Sequence, residues 1–453
     1  MPPAPPDFLR PLLARPVAIF GAGVSGQGVC ALLTKLGSPD SVIYDAKTPP
    51  ALAFTAAAAA QHALVVFSPG FAPDHPWLVL ARAAGLECLG ELDFASLFWR
   101  GQVVAITGTN GKTTLTEFLT HALRATGHEA RAVGNIGYPL AQFVADIDGG
   151  TLAASDKIAV CEISSFQAET LRHFRADATL WTNFAEDHLE RHADLATYFA
   201  AKWTLVACTA PGAFFAGSSV QRFAEKLRRP LPARAAIATE HQPRDPALAD
   251  TIFATYPQRE NFLLAAAWWQ AAGLPLADLQ AAARTFRLGR HRLARIATHA
   301  GVTYWNDSKA TNFHAVEAAL ASFDAPVLLI AGGKAKGGDI AAFAERVAPR
   351  TRHIFLIGET APALTTALSA AQAPHTLCAS LSEAVTRAAA LAAPGEHVLL
   401  SPGFASFDQF RNYEDRGDQF ERLVNETAQP SPSEGRAGYP HSTGSGPERS
   451  RTA

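Results

Sequence analysis

The segment 103–114, VVAITGTNGKTT, constrains the fold of this chain more than any other. An apolar run typical of a buried strand leads into a loop with two glycines, and an amphipathic helical pattern begins at Lys112. A strand, a glycine loop and a helix start in this order form a phosphate cradle, in which backbone N–H groups and the helix dipole face the anion. Lys112 adds a positive charge, and the hydroxyl of Thr113 is placed to reach Mg²⁺. The general P-loop has glycine where this chain has Ile106, so the segment is a variant of that loop.

Strand-like apolar runs alternate with helix-length amphipathic segments, which predicts an α/β architecture with mainly parallel sheets. A chain of 453 residues is too long for one core, so we expect about three domains. They are a Rossmann-like N-terminal domain, a central P-loop ATPase-like domain and a Rossmann-like C-terminal domain. The predicted ranges are 1–98, 99–289 and 290–428, with a tail over 429–453. The tail is rich in Ser, Pro and Gly and poor in large apolar residues, so we predict that it is disordered.

Composition and charge favour a soluble globular protein. Hydrophobic residues make up 48% of the chain, and a net charge of -2 gives no electrostatic reason to bind nucleic acid or an acidic membrane surface. No apolar run approaches the roughly 18 residues of a membrane-spanning helix. The Pro-rich start 1–15 lacks the apolar core of a signal peptide. We therefore expect a cytoplasmic protein, in which the five scattered cysteines are reduced thiols.

A second glycine loop, Gly21-x-Gly23-x-x-Gly26, lies between a predicted strand and a predicted helix near the N-terminus. Asp45 ends the next strand, where dinucleotide-binding folds place an acid that reads the ribose. A nicotinamide dinucleotide and a nucleotide sugar both fit this pattern, and so does a tight turn that binds no ligand.

Polar side chains follow two further strands of the central domain. Glu162 follows the strand 157–160, and His188 lies in the acidic run after the strand 178–182. The carboxyl ends of parallel strands meet at one edge of a sheet, so we expect both residues beside the phosphate loop, as phosphoryl transfer requires. The simpler alternatives are a helix-capping role for Glu162 and pairing of His188 with neighbouring carboxylates. The spacing of Lys202 in the helical stretch 195–209 indicates a solvated or snorkelling lysine.

Three polar segments stand out in the third domain, after a predicted hairpin over 293–305. The segment 305–312 suits a binding site or an Asp/Ser turn and helix cap. The basic glycine loop 332–339 suits an anion or a flexible surface turn. The segment 401–408 opens the last helix and is explained equally well as a capped helix start.

Taken together, these segments resemble the Mur ligases, the ATP-dependent amide ligases that build the peptidoglycan stem peptide. The resemblance runs from about residue 16 to 425 and keeps the same order in all three domains. The matching strings are GTNGKT at 108–113, CEISSFQAE at 161–169, NFAEDHLERH at 183–192, NDSKATN at 306–312 and SPGFASFDQFRNYEDRGDQF at 401–420.

The resemblance implies ATP and two Mg²⁺ ions, with an acyl-phosphate intermediate. It implies that ATP is bound by Gly108, Thr109, Asn110, Gly111, Lys112, Thr113, Thr114, Asn261, His291, Arg292 and Asp307. It implies that Mg²⁺ is bound by Thr113, Glu162, His188 and Lys202. Lys202 matches the family's carbamylated lysine, which overrides the solvated interpretation. The implied catalytic residues are Lys112, His188, Lys202 and Lys309.

The resemblance also implies the substrates UDP-N-acetylmuramoyl-L-alanine and D-glutamate, and a monomer. The implied contacts with the nucleotide sugar are Val24, Ser25, Asp45, Lys47, Ser68, Gly70, Asn135 and Gln167. The implied contacts with glutamate are Thr311, Lys336, Ser406 and Tyr413. L-glutamate or another amino acid as substrate stays open, as do a nucleotide-sensing P-loop protein without chemistry and, from the first loop alone, a nicotinamide dehydrogenase.

Overall fold

A computed structural model describes residues 4–38, 40–46, 52–147, 156–239 and 242–427. It contains three sheets, each covered by helices, which confirms the predicted α/β class with mainly parallel strands in three domains. The predicted tail and Lys47 lie outside the described residues. None of the described helices has the length and apolar character needed to cross a membrane.

The first domain is built on four parallel strands in the order β2-β1-β3-β4. Strands β1 and β3 are buried along their whole length, as expected where helices cover both faces of a parallel sheet. The strands are β1 Val17–Phe20, β2 Ser41–Tyr44, β3 Leu64–Phe67 and β4 Glu87–Gly90. The helices are α1 Val24–Lys35, α2 Ala56–Ala59, α3 Pro76–Ala83 and α4 Glu91–Ser96.

The central domain is a six-stranded parallel sheet in the order β10-β9-β8-β5-β7-β6. Its strands are β5 Gln102–Thr107, β6 Glu129–Gly134, β7 Lys157–Glu162, β8 Ala178–Trp181, β9 Phe214–Gly217 and β10 Ala236–Ala238. Its helices are α5 Lys112–Ala125, α6 Leu140–Asp146, α7 Ser165–Ala168, α8 Leu195–Cys208, α9 Ser218–Lys226, α10 Gln258–Ala271 and α11 Leu276–Thr285. Because β5 lies between β7 and β8, the segments that follow these three strands meet at one edge.

The third domain has six strands in the order β11-β12-β16-β13-β14-β15. The predicted hairpin is confirmed, because β11 and β12 are antiparallel, whereas the other pairs are parallel. The strands are β11 Ala294–His299, β12 Val302–Asn306, β13 Val327–Gly332, β14 Thr351–Ile357, β15 His375–Leu377 and β16 His397–Leu400. The helices are α12 Phe313–Leu320, α13 Ile340–Val347, α14 Ala361–Ala370, α15 Leu381–Leu391 and α16 Tyr413–Thr427.

The prediction that 401–408 opens the last helix is wrong, since α16 begins only at Tyr413. The backbone of Ala405 is already paired with that of Lys334, through hydrogen bonds of 2.8 and 3.1 Å. These groups are therefore not available for a helical turn, and the segment forms a loop that packs against the glycine loop after β13.

Two buried carboxylates of α4 fasten the first domain to the central one. Glu91 accepts a hydrogen bond from the backbone N–H of Ala141 at 2.8 Å, in the first turn of α6. Asp93 accepts from three consecutive backbone N–H groups, those of Arg172, His173 and Phe174, at 2.8 to 3.0 Å. Burial raises the pKa of the Glu91 carboxyl from 4.5 to about 7, so its charged form is costly in the folded state.

Replacing Glu91 with glutamine is expected to stabilise the protein at pH 8 and to leave its stability unchanged at pH 4.5. The raised pKa means that the folded state holds the Glu91 proton more tightly than the unfolded state does. Protonated Glu91 therefore stabilises the wild type at low pH, and this stabilisation is lost as the pH rises through about 7. Glutamine keeps an oxygen for Ala141 without the charge, and the gain is at most roughly 3 kcal/mol. Urea unfolding of both proteins between pH 4.5 and 8 measures the difference. A pH-independent difference, or the same trend for the exposed Asp7→Asn, would contradict this reasoning.

Candidate active site

The phosphate loop joins β5 directly to α5. Gly108 and Gly111 have φ angles of +147° and +81°, which side chains disfavour. A Cβ at Gly108 would overlap Thr182, and one at Gly111 would lie 2.8 Å from the side chain of Asn261. The Nζ of Lys112 donates to the carbonyl oxygens of Gly108 and Thr109 at 2.9 Å, so the amine lies across the loop. The backbone of the loop is thus held open for an anion, with a cation over it.

The segment after β8 holds the phosphate loop in place. The Oδ1 of Asn183 accepts from the backbone N–H of Asn110 at 2.9 Å, and the hydroxyl of Thr182 donates to the Asn110 carbonyl at 2.6 Å. Neither residue was predicted as part of the site. Their position at the carboxyl end of a strand next to β5 is the signal that could have found them.

Glu162 ends β7 at the same edge of the sheet and is buried. Its Oε1 accepts from the side-chain amide of Asn135 at 2.8 Å, whereas its Oε2 has no hydrogen-bond partner among the described residues. A buried carboxylate oxygen that lacks a partner is costly unless a ligand uses it. The structure therefore joins Glu162, predicted as a Mg²⁺ ligand, to Asn135, predicted as a nucleotide-sugar contact, and leaves one carboxylate oxygen for a cation.

His188 lies in the loop after β8 with a φ of +56°. Its imidazole lies 3.7 Å from Asp187 and 3.2 Å from Glu190, and its ring packs edge-on against Phe166 at 4.9 Å. Both carboxylates are thus its immediate partners, as the simpler alternative anticipated. Within the described ranges, no group of three His, Cys, Asp or Glu side chains lies close enough to hold a metal ion by itself.

Lys202 is buried on α8, with only 1% of its surface exposed. Its Nζ donates to the carbonyl of Gly108 at 2.9 Å and lies 5.0 Å from the ring of Tyr198. The interpretation of this residue as solvated is wrong, because α8 packs this face beneath the phosphate loop. Burial, with Lys112 nearby, lowers the pKa of the Lys202 amine well below its ordinary value.

A cavity of about 410 Å³ opens between the central and third domains, next to the phosphate loop. Its lining includes the predicted nucleotide contacts Asn110, Gly111, Thr114, Asn261, Arg292, Asp307 and Lys309. The Nη2 of Arg292 is buried and has no partner in the described part of the chain, and burial lowers the pKa of Lys309 to about 8. Two cationic side chains on the third-domain wall therefore face a cavity of the size that a nucleotide needs.

Two of the predicted nucleotide contacts, Asp307 and His291, are held by neighbours in the third domain. Asp307 accepts from the Leu293 N–H at 3.0 Å and from the Ser401 hydroxyl at 2.8 Å, and burial raises its pKa to about 7. His291 does not line the cavity: its Nδ1 lies 2.9 Å from the amide nitrogen of Asn306, against α16.

The third domain is docked on the phosphate loop through side-chain amides. Asn110 and Asn312 donate to each other at 3.2 and 3.1 Å, and the Asn312 amide also donates to Asp187 at 2.9 Å. His314 lies 3.0 Å from the amide nitrogen of Asn110 and 3.3 Å from the hydroxyl of Tyr256. Asn312 and His314 are site residues that sequence reasoning missed, because their partners lie about 200 and 60 positions away.

The predicted glutamate contacts come from four segments of the third domain. The Nζ of Lys336 donates to the Thr311 hydroxyl at 3.3 Å, and Lys309 lies 4.9 Å from the ring of Tyr413. Ser406 is 2% exposed, and its carbonyl accepts from two N–H groups of its own loop. The structure thus pairs Thr311 with Lys336 and sets Tyr413 beside Lys309.

The predicted nucleotide-sugar contacts surround the first glycine loop. Asp45 accepts from the backbone N–H of Ala22 at 2.9 Å, Ser68 lies beneath Gly21 with a hydroxyl that lacks a partner in the described ranges, and Val24 is 63% exposed. Ser25 and Gly70 lie partly or fully exposed nearby. In the central domain, Gln167 forms a capping box with Ser164, so its oxygen already has partners.

Comparison with known proteins identifies relatives over most of the chain. The family described as the Mur ligase middle domain matches residues 106–231, and that described as the Mur ligase glutamate ligase domain matches residues 291–404. A protein named UDP-N-acetylmuramoylalanine–D-glutamate ligase from Gloeobacter violaceus is 36% identical over 445 residues, which cover 90% of this chain and 98% of the relative. One of the same name from Chlamydia pneumoniae is 35% identical over 433 residues, with the same coverage.

Solved structures of low sequence identity share the fold. The UDP-N-acetylmuramate-alanine ligase MurC from Thermotoga maritima superposes with a TM-score of 0.56 at 16% identity, over 91% of this chain and all of that one. A pseudomurein peptide ligase type C from Methanothermus fervidus gives a TM-score of 0.58 at 14% identity, over 92% of this chain and all of that one.

Proposed function

This chain belongs to the Mur ligase family, and from that premise we infer that it is an ATP-dependent ligase that adds D-glutamate to UDP-N-acetylmuramoyl-L-alanine in peptidoglycan precursor synthesis. The two relatives reported above align over 98% of their own length. The observation that carries the inference is the convergence of the phosphate loop, Glu162 and Lys202 at one sheet edge, beneath a docked third domain.

Amide formation from a carboxylate is uphill in water, so the carboxylate must first be activated. The L-alanyl carboxylate attacks the γ-phosphorus of ATP, which forms an acyl phosphate and releases ADP. The amine of glutamate then attacks the acyl carbon, and the tetrahedral intermediate expels phosphate. Water would hydrolyse the acyl phosphate, so docking of the third domain over the phosphate loop has the chemical purpose of excluding solvent.

The side chains around the phosphate loop have the chemistry that this reaction needs. Lys112 is placed to neutralise the charge that spreads over the transferring phosphoryl group. The residues also suit Mg²⁺, because Glu162 has an unpaired buried oxygen and Thr113 follows the loop. Glu162, Thr113, His188 and a carbamate on Lys202 would hold two ions, which when bound supply further positive charge at the phosphates.

We assign the remaining predicted residues to the two other substrates. The first-domain residues Val24, Ser25, Asp45, Lys47, Ser68 and Gly70, with Asn135 and Gln167, would bind the nucleotide sugar. Thr311, Lys336, Ser406 and Tyr413 would bind glutamate, with Lys309 between them and ATP. In this proposal the domains keep the ranges 1–98, 99–289 and 290–428, and the enzyme acts as a monomer in the cytoplasm, where ATP and nucleotide sugars are available.

The assay that tests the function measures phosphate release with ATP, Mg²⁺, UDP-N-acetylmuramoyl-L-alanine and either enantiomer of glutamate. We expect release that requires all components, with kcat/KM for D-glutamate at least roughly 100-fold above that for L-glutamate, because wrongly placed charged groups leave buried partners unpaired. Equal rates for the enantiomers would contradict the D-glutamate assignment. ATP hydrolysis whose rate does not depend on glutamate would instead indicate a nucleotide-sensing protein.

A further inference from the structure

A fully buried arginine occupies the centre of the third-domain loops. Arg416, on the first turn of α16, has no exposed surface. Its guanidinium donates through Nε to the Ser308 hydroxyl at 3.0 Å, through Nη2 to the Ser308 carbonyl at 2.8 Å and through Nη1 to the Phe404 carbonyl at 3.1 Å. These acceptors are all uncharged oxygens, and the carboxylates of Asp408 and Asp307 favour the charge only through space, although a buried charge is usually offset by a directly bonded ionic partner. Burial lowers the pKa of Arg416 to about 10, so the group keeps its proton at neutral pH.

Stability of α16 does not explain this side chain. The later turns of the helix are anchored by Phe420 and Val424. Both are fully buried in the core that includes residues of β13, β14 and β16. A buried ionic group replaced by an apolar one of similar size is often neutral or stabilising. The hydrogen bonds of Arg416 to the loops of Ser308 and Phe404 therefore explain this residue better than a contribution to folding stability does.

The guanidinium donates to the backbone of two segments, lies close to a third and belongs to a fourth. Ser308 directly precedes Lys309 and lies three residues before Thr311. Phe404 lies two residues before Ser406. A Cβ at Gly333, in the loop of Lys336, would lie 3.3 Å from Nη1, so that loop passes close to the guanidinium. The Ser308 hydroxyl also donates to the carbonyl of Tyr413 at 2.8 Å, at the start of α16.

We propose that Arg416 is a positioning residue that sets the relative placement of the four segments carrying the glutamate contacts, without touching glutamate itself. The proposal rests on the proposed function. Its physical basis is the rigid planar fork of the guanidinium, whose donors point in fixed directions and so fix the distance between the Ser308 and Phe404 backbones. A lysine keeps the charge but offers one nitrogen, which cannot span both.

The test is Arg416→Lys, assayed for KM of each substrate separately. We expect KM for D-glutamate to rise at least roughly tenfold, the loss of about 1.4 kcal/mol of binding, while KM for ATP and for UDP-N-acetylmuramoyl-L-alanine stays within about twofold. Phe420→Leu is the matched control on the same helix, expected to lower the melting temperature without changing KM for D-glutamate. If Arg416→Lys does not fold, Ser308→Ala decides the question by a smaller rise in the same KM, because it removes the hydroxyl that accepts from Nε and donates to the Tyr413 carbonyl but keeps the Ser308 carbonyl that accepts from Nη2.

The proposal is overturned if KM for D-glutamate is unchanged in the folded Arg416 variant, or in Ser308→Ala where that variant is the one that folds. It is also overturned if all three KM values rise together, or if Phe420→Leu reproduces the effect. A wild-type protein that binds ATP yet releases no phosphate on addition of D-glutamate would overturn the proposed function itself, which separates the two failures.

Discussion

Replacing Lys112 with alanine is expected to lower kcat at least roughly a thousandfold, or about 4 kcal/mol of transition-state stabilisation. The amine lies over the phosphate loop and, among the residues that the structure describes, is bonded only to the carbonyl oxygens of Gly108 and Thr109, so it can turn to a phosphate without breaking an ion pair there. The charge it neutralises increases as the phosphoryl group leaves ADP, and Lys112 is partly buried, so solvent screens that charge less than at an exposed site.

The affinity for UDP-N-acetylmuramoyl-L-alanine should change less than about twofold in Lys112→Ala, because the first glycine loop lies in another domain. Phosphate release gives kcat, and calorimetry gives the Kd of the nucleotide sugar. Lys226 is exposed on α9 of the central domain, which also contains Lys112, so Lys226→Ala is the control for loss of a lysine. Turnover of Lys112→Ala within tenfold of the wild type would contradict the assignment of this loop to phosphoryl transfer.

Replacing Lys202 with arginine is expected to reduce turnover at least roughly a hundredfold and to abolish the carbamate that we propose for this lysine. The buried amine favours the uncharged form, whose lone pair attacks the carbon of CO₂; a C–N bond forms and one proton leaves to solvent. The product is a carboxylate-like group beneath the phosphate loop, where arginine would place a permanent positive charge instead.

Carbon-13 NMR of protein equilibrated with labelled bicarbonate detects the carbamate directly. We expect one protein-bound signal in the wild type and in Lys226→Arg, and none in Lys202→Arg. A signal that persists in Lys202→Arg would place the carbamate on another amine. An arginine variant with nearly full turnover would show that the reaction does not need a carboxylate here.

The parts of the fold that local physics determines could be predicted from the sequence. The start of α5 at Lys112 follows from a glycine loop ahead of apolar residues at helical spacing, and the hairpin of β11 and β12 follows from a Gly-containing turn between two alternating runs. The start of α16 was misplaced because pairing of Ala405 with Lys334, which depends on a loop 70 residues earlier, overrides the capping signal of 401–408.

The predicted site was incomplete for the same reason. Lys202 has the spacing of a surface lysine, and only the packing of α8 beneath the phosphate loop buries it. Arg416 lies in a strongly polar helix whose sequence predicts an exposed charge, whereas the loops that enclose it come from three distant segments. Family resemblance recovered Lys202 because it transfers tertiary information that one sequence does not contain.

The amide pair between Asn110 and Asn312 affects how firmly the third domain is held against the central domain between turnovers. Water can replace each of these hydrogen bonds at little net cost in free energy, so the contacts orient the third domain without holding it firmly. The free energy that keeps the two domains together during the reaction must then come from ligands bound between them. We therefore expect the chain to become more compact when substrates bind between these domains and to relax when ADP and phosphate leave.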